Sequence, residues 1–259
     1  MKKLVKTIIG DGVKMWYQWN DLHIGQRIAL GKYEPYLTKL MMEILKRVQD
    51  DKAVFVDVGA NIGYYSLLGA KKGARVWAIE PDEENFAILE KNVKTNGLEG
   101  KIKLVKAGAG EKKGWSEIEK SESNFGAHKL KKGRGIIKIV KLDDVIKEKV
   151  DVIKIDVEGM EAEVVMGAKK LIEKWRPTIF FEYGVNLRNR KLLDFLNKVY
   201  GGIFAIDEYV QFYRLRDIKK LENFEGNLMV KKNLGWEWGQ IKNVDWKKMI
   251  KKLLSYNGL

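Results

Sequence analysis

The sequence predicts an α/β fold built on a doubly wound, mostly parallel sheet, and three observations carry that prediction. Short apolar runs alternate with stretches of helical periodicity along most of the 259 residues, the order that lays strands parallel with helices on both faces. Residues 53–85, AVFVDVGANIGYYSLLGAKKGARVWAIEPDEEN, form one strand–turn–helix–strand unit whose first turn is punctuated by glycine. The second strand of that unit ends on Glu80, about 20 residues past the first turn glycine, where Rossmann-like folds keep a ribose-binding carboxylate.

The elements follow in order. Residues 1–50 read as an N-terminal helical extension covering the site. Its helix is expected over 35–48, because Leu37, Leu40, Met41, Ile44, Leu45 and Val48 recur at helical spacing and Pro35 takes the favoured first position. Val54 to Val58 is a buried strand that breaks at Gly59-Ala60-Asn61-Ile62-Gly63, and a helix follows from Tyr64 to about Lys71. Arg75 to Ile79 is the second strand. Asp82, Glu83 and Glu84 load the start of the next helix with acid, Phe86, Leu89 and Val93 form its inner stripe, and Asn96-Gly97 ends it. Further strands are expected at about 102–106, 136–141, 150–156, 178–183, 202–206 and 227–231, with helices over 160–173 and 187–199. The main domain thus spans 51–231. Residues 232–259 form a basic C-terminal tail in which Val244, Trp246, Met249, Ile250, Leu253 and Leu254 line one helical face and Lys247, Lys248, Lys251 and Lys252 the other. Packing of that stripe on the domain is favoured over peripheral membrane contact or a partner. Trp236 and Trp238 read as core or as sugar-stacking faces.

Composition narrows the classes. The size suits a single α/β domain that buries roughly 70–75% of its unfolded surface. There is no cysteine, which excludes disulfides, thiolate metal sites and cysteine nucleophiles and fits a cytoplasmic protein. The start, MKKLVKTIIG, is interrupted by Lys6 and too short for a signal peptide, and no segment approaches a membrane span. With 49 basic and 35 acidic side chains the formal charge is +14. That excess fits a solvated lysine-rich surface and a polyanionic partner equally well.

The turn chooses among cofactors. A dinucleotide fold wants G-x-G-x-x-G, so that backbone amides approach a pyrophosphate. Here the pattern is Asp57-x-Gly59-x-x-x-Gly63, with no G-x-x-x-x-G-K-[ST] loop around it. This suits a ligand without phosphate, S-adenosylmethionine (SAM), whose ammonium favours negative charge near Asp57. The alternative is a tight turn in a phosphate-binding or ligand-free Rossmann domain. Ligands of such sheets bind beyond the carboxyl ends of the strands, which gathers Gly59, Glu80, Ala107-Gly108, Asp156 and Glu182 into one neighbourhood. In VDVIKIDVEGME, from Val150 to Glu161, Asp156 and Glu158 lie at the mouth of the sheet, Lys154 belongs to the strand, and Glu161 serves the helix N-terminus.

VFVDVGANIGYYS, AIEPDEENFAILEKNV, and VIKIDVEGMEAEVVMGA followed by RPTIFFEY are similar to the FkbM-type SAM-dependent methyltransferases. Gly31-Lys-Tyr-Glu-Pro35 and Leu142-Asp143-Asp144 also fit, so the resemblance covers about residues 30–231. It implies a class I SAM methyltransferase fold and methyl transfer to a hydroxyl oxygen of a sugar, glycan, polyketide or other small metabolite. Carried over by position, Asp57, Gly59, Asn61, Gly63 and Glu80 hold the cofactor and Asp156 approaches its methyl end. Pro81, Ala107 and Gly108 are placed with the cofactor, Glu34 and Glu182 with the substrate.

A hydroxyl acceptor must lose its proton as the new bond forms. The chain has two histidines. His128, in the polar stretch Ser123-Asn-Phe-Gly-Ala-His-Lys, is the favoured base, with Asp156 and Glu158 as alternatives; His23 reads as packed or solvated. No ligand spacing signals a metal. One rival reading is a tRNA or rRNA methyltransferase, favoured by the charge but lacking an [ND]-P-P-[YF] turn, where this chain has Asp156-Val-Glu-Gly. Another is a non-catalytic Rossmann protein that binds a polyanion or a membrane.

Overall fold

The computed structural model of the protein describes residues 3–47, 53–119, 129–132, 135–184, 190–206, 212–215 and 226–231. The chain opens with strands β1 (Leu4–Ile9) and β2 (Val13–Gln18) and helices α1 (Gly25–Ala29) and α2 (Pro35–Arg47). Then come β3 (Val54–Val58), α3 (Tyr64–Lys71), β4 (Arg75–Glu80), α4 (Glu83–Thr95) and β5 (Ile102–Lys106). Four short strands follow, β6 (Gly108–Ala109), β7 (Gly114–Glu119), β8 (Lys129–Lys132) and β9 (Ile137–Val140). Next are α5 (Leu142–Val145), β10 (Val152–Ile155), α6 (Glu161–Gly167), α7 (Lys169–Trp175) and β11 (Thr178–Tyr183). The last described elements are α8 (Arg190–Tyr200), β12 (Ile203–Ile206), β13 (Phe212–Leu215) and β14 (Gly226–Val230).

Among the described residues the central sheet has eight strands, in the order β13-β12-β14-β11-β10-β3-β4-β5. Its run from β11 to β5 is parallel, whereas β14 enters antiparallel between β11 and β12. Winding proceeds from β3 towards β5 on one side and from β10 towards β11 on the other. The switch point therefore lies between β3 and β10, and a crevice opens at their carboxyl ends. Every residue of β3 is buried, because both faces are covered. Phe55 packs on the side of α2, α3 and α4, while Val54 and Val56 pack on the side of α5 to α8.

Three expectations are corrected. The N-terminal extension is not wholly helical: it begins as the antiparallel hairpin β1–β2. Asp11 and Gly12, at φ +57° and +71°, turn it, and Val13 and Met15 are buried while Lys14 is exposed, a period of two. The strand expected at 136–141 is β9, and it joins the separate sheet β6-β9-β7-β8. Among the described residues no helix lies between β5 and β9, and β9 pairs instead with β6 and β7. The helix expected over 160–173 divides at Gly167-Ala168. A Cβ on Gly167 would lie 2.1 Å from the Gly110 carbonyl oxygen, so two backbones meet there.

The hairpin is fastened beside the crevice. Asn92 of α4 accepts from the Trp16 amide at 2.6 Å and donates to the Ile62 carbonyl at 2.8 Å, joining β2 to the turn after β3.

Candidate active site

The carboxyl ends of β3, β4, β10 and β11 open into a cavity of about 320 Å³, within the range of small-molecule sites. Its first end is built from backbone. Gly59 has φ +78°, and a Cβ there would lie 1.8 Å from the Asp156 carbonyl oxygen, so only glycine lets β3 and β10 close up. The amides of Gly59 and Ala60 both donate to the Ile79 carbonyl at 3.0 Å. Glu80, 5% exposed, accepts from the Asn61 amide at 2.8 Å and from the Asp82 amide at 2.9 Å. Both carboxylate oxygens are thereby oriented before any ligand arrives. The remaining turn amides are also engaged, Ile62 with the Asn61 side chain and Gly63 with the Ala60 carbonyl. No N–H of this turn is left to cradle a phosphate, so the site fits an adenosine-type cofactor without one. Asp57 lies beneath, with Oδ2 accepting from Ser66 at 2.6 Å and a buried Oδ1 that has no partner among the described residues. Burial raises its pKa, against the pull of Lys154 and the Ser66 bond. Pro81, Ala107 and Gly108 complete this end. Gly63 does not line the cavity: at φ +95° it lets α3 approach α4, since a Cβ would meet Leu89 at 2.5 Å.

The other end is built from charged side chains. Lys154, 4% exposed, donates to Asp156 Oδ2 at 2.8 Å and lies 4.8 Å from the centre of the Tyr65 ring. Burial opposes its charge, but Asp156, Glu34 and Asp57 outweigh burial and hold its pKa above the ordinary lysine value. Glu34 accepts from Tyr65 at 2.8 Å and from Asn227 at 3.2 Å. Tyr33, Tyr64 and Tyr65 pack together, two of their contacts edge to face at 5.1 and 5.2 Å. Carboxylate oxygens of Asp156, Glu158 and Glu182 lie within 4.8 Å of one another. Glu161 turns away to accept from the amides of Val157 and Gly159, closing the turn at the start of α6. Glu34, Asn61 and Glu158 line the cavity with φ of +38°, +50° and +52°. Backbone strain thus gathers where ligands would bind.

The cavity wall holds Asp57, Gly59, Asn61, Glu80, Pro81, Ala107, Gly108, Asp156, Glu158, Glu34 and Glu182 together. His128 lies outside the described residues. Sequence reasoning missed Lys154, Tyr65 and Asn227. A lysine inside the apolar run VIKI, two residues before a strand-end aspartate, was the available signal for the first; Tyr65 and Asn227 carried none.

The sequence model of the methyltransferase FkbM domain matches residues 57–216. The chain belongs to the FkbM methyltransferase family. Its fold and cofactor are those of class I SAM-dependent methyltransferases. A hexuronic acid methyltransferase of Haloferax volcanii is 29% identical over 136 residues, 50% of this chain and 55% of that protein. A ribosomal protein L11 methyltransferase of Gloeobacter violaceus is 28% identical over 107 residues, 38% of this chain and 34% of that protein. The chain therefore matches about half, or less, of these curated relatives. A crystal structure of a methyltransferase FkbM from Methylobacillus flagellatus KT is 25% identical with a TM-score of 0.46, covering 70% of this chain and 44% of that one. In this member of the FkbM family Glu80, Asn61, Gly59, Pro81, Ala107 and Gly108 line one end of the cavity.

Proposed function

We propose that this protein transfers the methyl group of SAM to a hydroxyl oxygen of a sugar. The observation that carries the reading is the charged end of the cavity, where Glu34, Asp156, Glu158 and Glu182 stand together beside the cofactor turn. Ionised carboxylates accept hydrogen bonds and donate none. A polyol offers several O–H donors to such a wall, whereas a phosphate chain meets repulsion there. The Haloferax relative named for hexuronic acid supports a sugar acid in particular. At the cavity mouth Arg27 is exposed and has no partner among the described residues, so it is free to take a carboxylate of the acceptor.

SAM supplies a methyl group on a sulfonium, displaced in line with a neutral leaving group. The chain supplies position: Glu80 and its two amides fix the cofactor end, and the acidic wall orients the acceptor hydroxyl and receives its proton. Incubating the protein with methyl-labelled SAM and a panel of hexuronides, neutral glycosides and bulk tRNA tests the reading. Label is expected in a sugar ether, most strongly with a hexuronide. Label in RNA alone rejects the sugar assignment in favour of the RNA reading suggested by the +14 charge. Binding of S-adenosylhomocysteine with no transfer to any of them favours a non-catalytic protein.

A further inference from the structure

We propose that Glu182 is the general base that removes the proton of the acceptor hydroxyl, an inference that rests on the sugar O-methyltransferase reading above. Four of the neighbouring carboxylates are committed elsewhere, and the fifth, Glu158, is not without a partner of its own. Asp156 Oδ2 is held by Lys154 at 2.8 Å. Both oxygens of Glu34 are held, by Tyr65 and Asn227. Asp57 is buried on Ser66, and Glu161 closes its own turn. The Glu182 carboxylate lines the cavity and accepts no side-chain hydrogen bond from a described residue.

Its surroundings tune it for the task. β10 presents Lys154 to it, the following turn Asp156 and Glu158, and α6 Glu161, while β14 places the uncharged Asn227 in register with it. Burial first, then Asp156, Glu158 and Glu161, push its pKa up to about 7 against the pull of Lys154. A base at neutral pH is most effective with a pKa near the working pH, where it is both available and strong enough. In the step, the acceptor O–H bond breaks and its electron pair forms the C–O bond. The C–S bond breaks to leave a neutral thioether, and the proton goes to the Glu182 carboxylate and from there to water.

The sign of the pH effect on stability follows. The folded pKa, about 7, lies above the ordinary glutamate value of about 4.3, so between them the folded chain holds a proton that the unfolded chain has lost. This group's contribution to stability therefore falls as pH rises through that window and levels off above it.

The decisive variant is Glu182→Gln, of nearly the same shape. Affinity for S-adenosylhomocysteine should stay within about twofold, and turnover on the hexuronide probe should drop about 10²–10⁴-fold. The ascending limb of the pH–rate profile near 7 should vanish. Between pH 5 and 7 the melting temperature of the unsubstituted protein should fall relative to the variant, a readout needing no acceptor. Unchanged turnover, a change in KM alone, a retained limb, or identical melting profiles would each overturn the assignment. So would turnover that requires added Mg²⁺ and disappears with EDTA, because the three carboxylates would then serve a cation. Failure of the sugar reading shows in the unsubstituted protein, as transfer to RNA alone or to nothing, and takes the base assignment with it. Failure of the base assignment shows in the variant or as a Mg²⁺ requirement, in either case with sugar methylation intact.

Discussion

The two ends of the cavity are held together by different interactions. The cofactor end is a closed set of backbone hydrogen bonds, in which the amides of residues 59–63 and Asp82 meet the Ile79 carbonyl, Glu80 and one another. The acceptor end is a set of charges: one buried lysine, four carboxylates and a tyrosine that donates to one of them. Amide N–H donors are directional and do not titrate, so the first end is stiff. Charges in a poorly solvated pocket act on one another over several ångströms, so the second end responds as a unit when one member changes. Under the proposed reading, a site that must fix a constant cofactor and yet move a proton uses each where it is suited.

Four substitutions probe that contrast, and Gly59→Ala strikes hardest. The left-handed φ alone costs about 1–2 kcal/mol for a side-chain-bearing residue, and the Cβ would lie 1.8 Å from the backbone oxygen of Asp156, just past β10. Expected outcomes are undetectable S-adenosylhomocysteine binding by calorimetry and a melting temperature lowered by about 10 °C or more. Lys154→Met leaves three acidic neighbours without their cation. It should lower stability in urea by about 3–5 kcal/mol, with most of the loss recovered at low pH, where those carboxylates are protonated. Equal loss at all pH values would mean that Lys154 acts by packing alone.

Glu80→Ala removes charge-assisted bonds to the cofactor and strips two amides of their acceptor. Cofactor affinity should fall by about 2–4 kcal/mol in calorimetry. If affinity is unchanged, the cofactor end has been misassigned. Asn227→Ala is the mildest. Freeing one oxygen of Glu34 should cost about 1 kcal/mol, read as a several-fold rise in acceptor KM with S-adenosylhomocysteine affinity untouched. A loss of cofactor affinity instead would show that the two ends are not independent.

Legibility in the sequence follows the same division. The strand, turn and helix from Val54 to Lys71 lie where glycine spacing and periodicity put them, because each depends on neighbours within a few residues. The hairpin at the N-terminus was readable from Asp11-Gly12 between two apolar runs, yet the exposed lysines and a tryptophan obscured its alternation. The placement of β9 outside the main sheet depends on which partner edge the chain reaches, and no local pattern encodes that.

By itself the sequence determined the parallel core, the glycine turn, the acid at the tip of β4 and the family to which the chain belongs. These rest on hydrogen bonds and φ angles confined to some thirty consecutive residues, where spacing along the chain is spacing in space. Only the tertiary structure decided that Lys154 is shared among Asp156, Asp57 and Glu34. The Glu34–Asn227 bond joins residues 193 positions apart. Contacts of that separation exist only once β14 has slotted beside β11, and the charge balance of the pocket is set by burial, which no residue carries in its own identity.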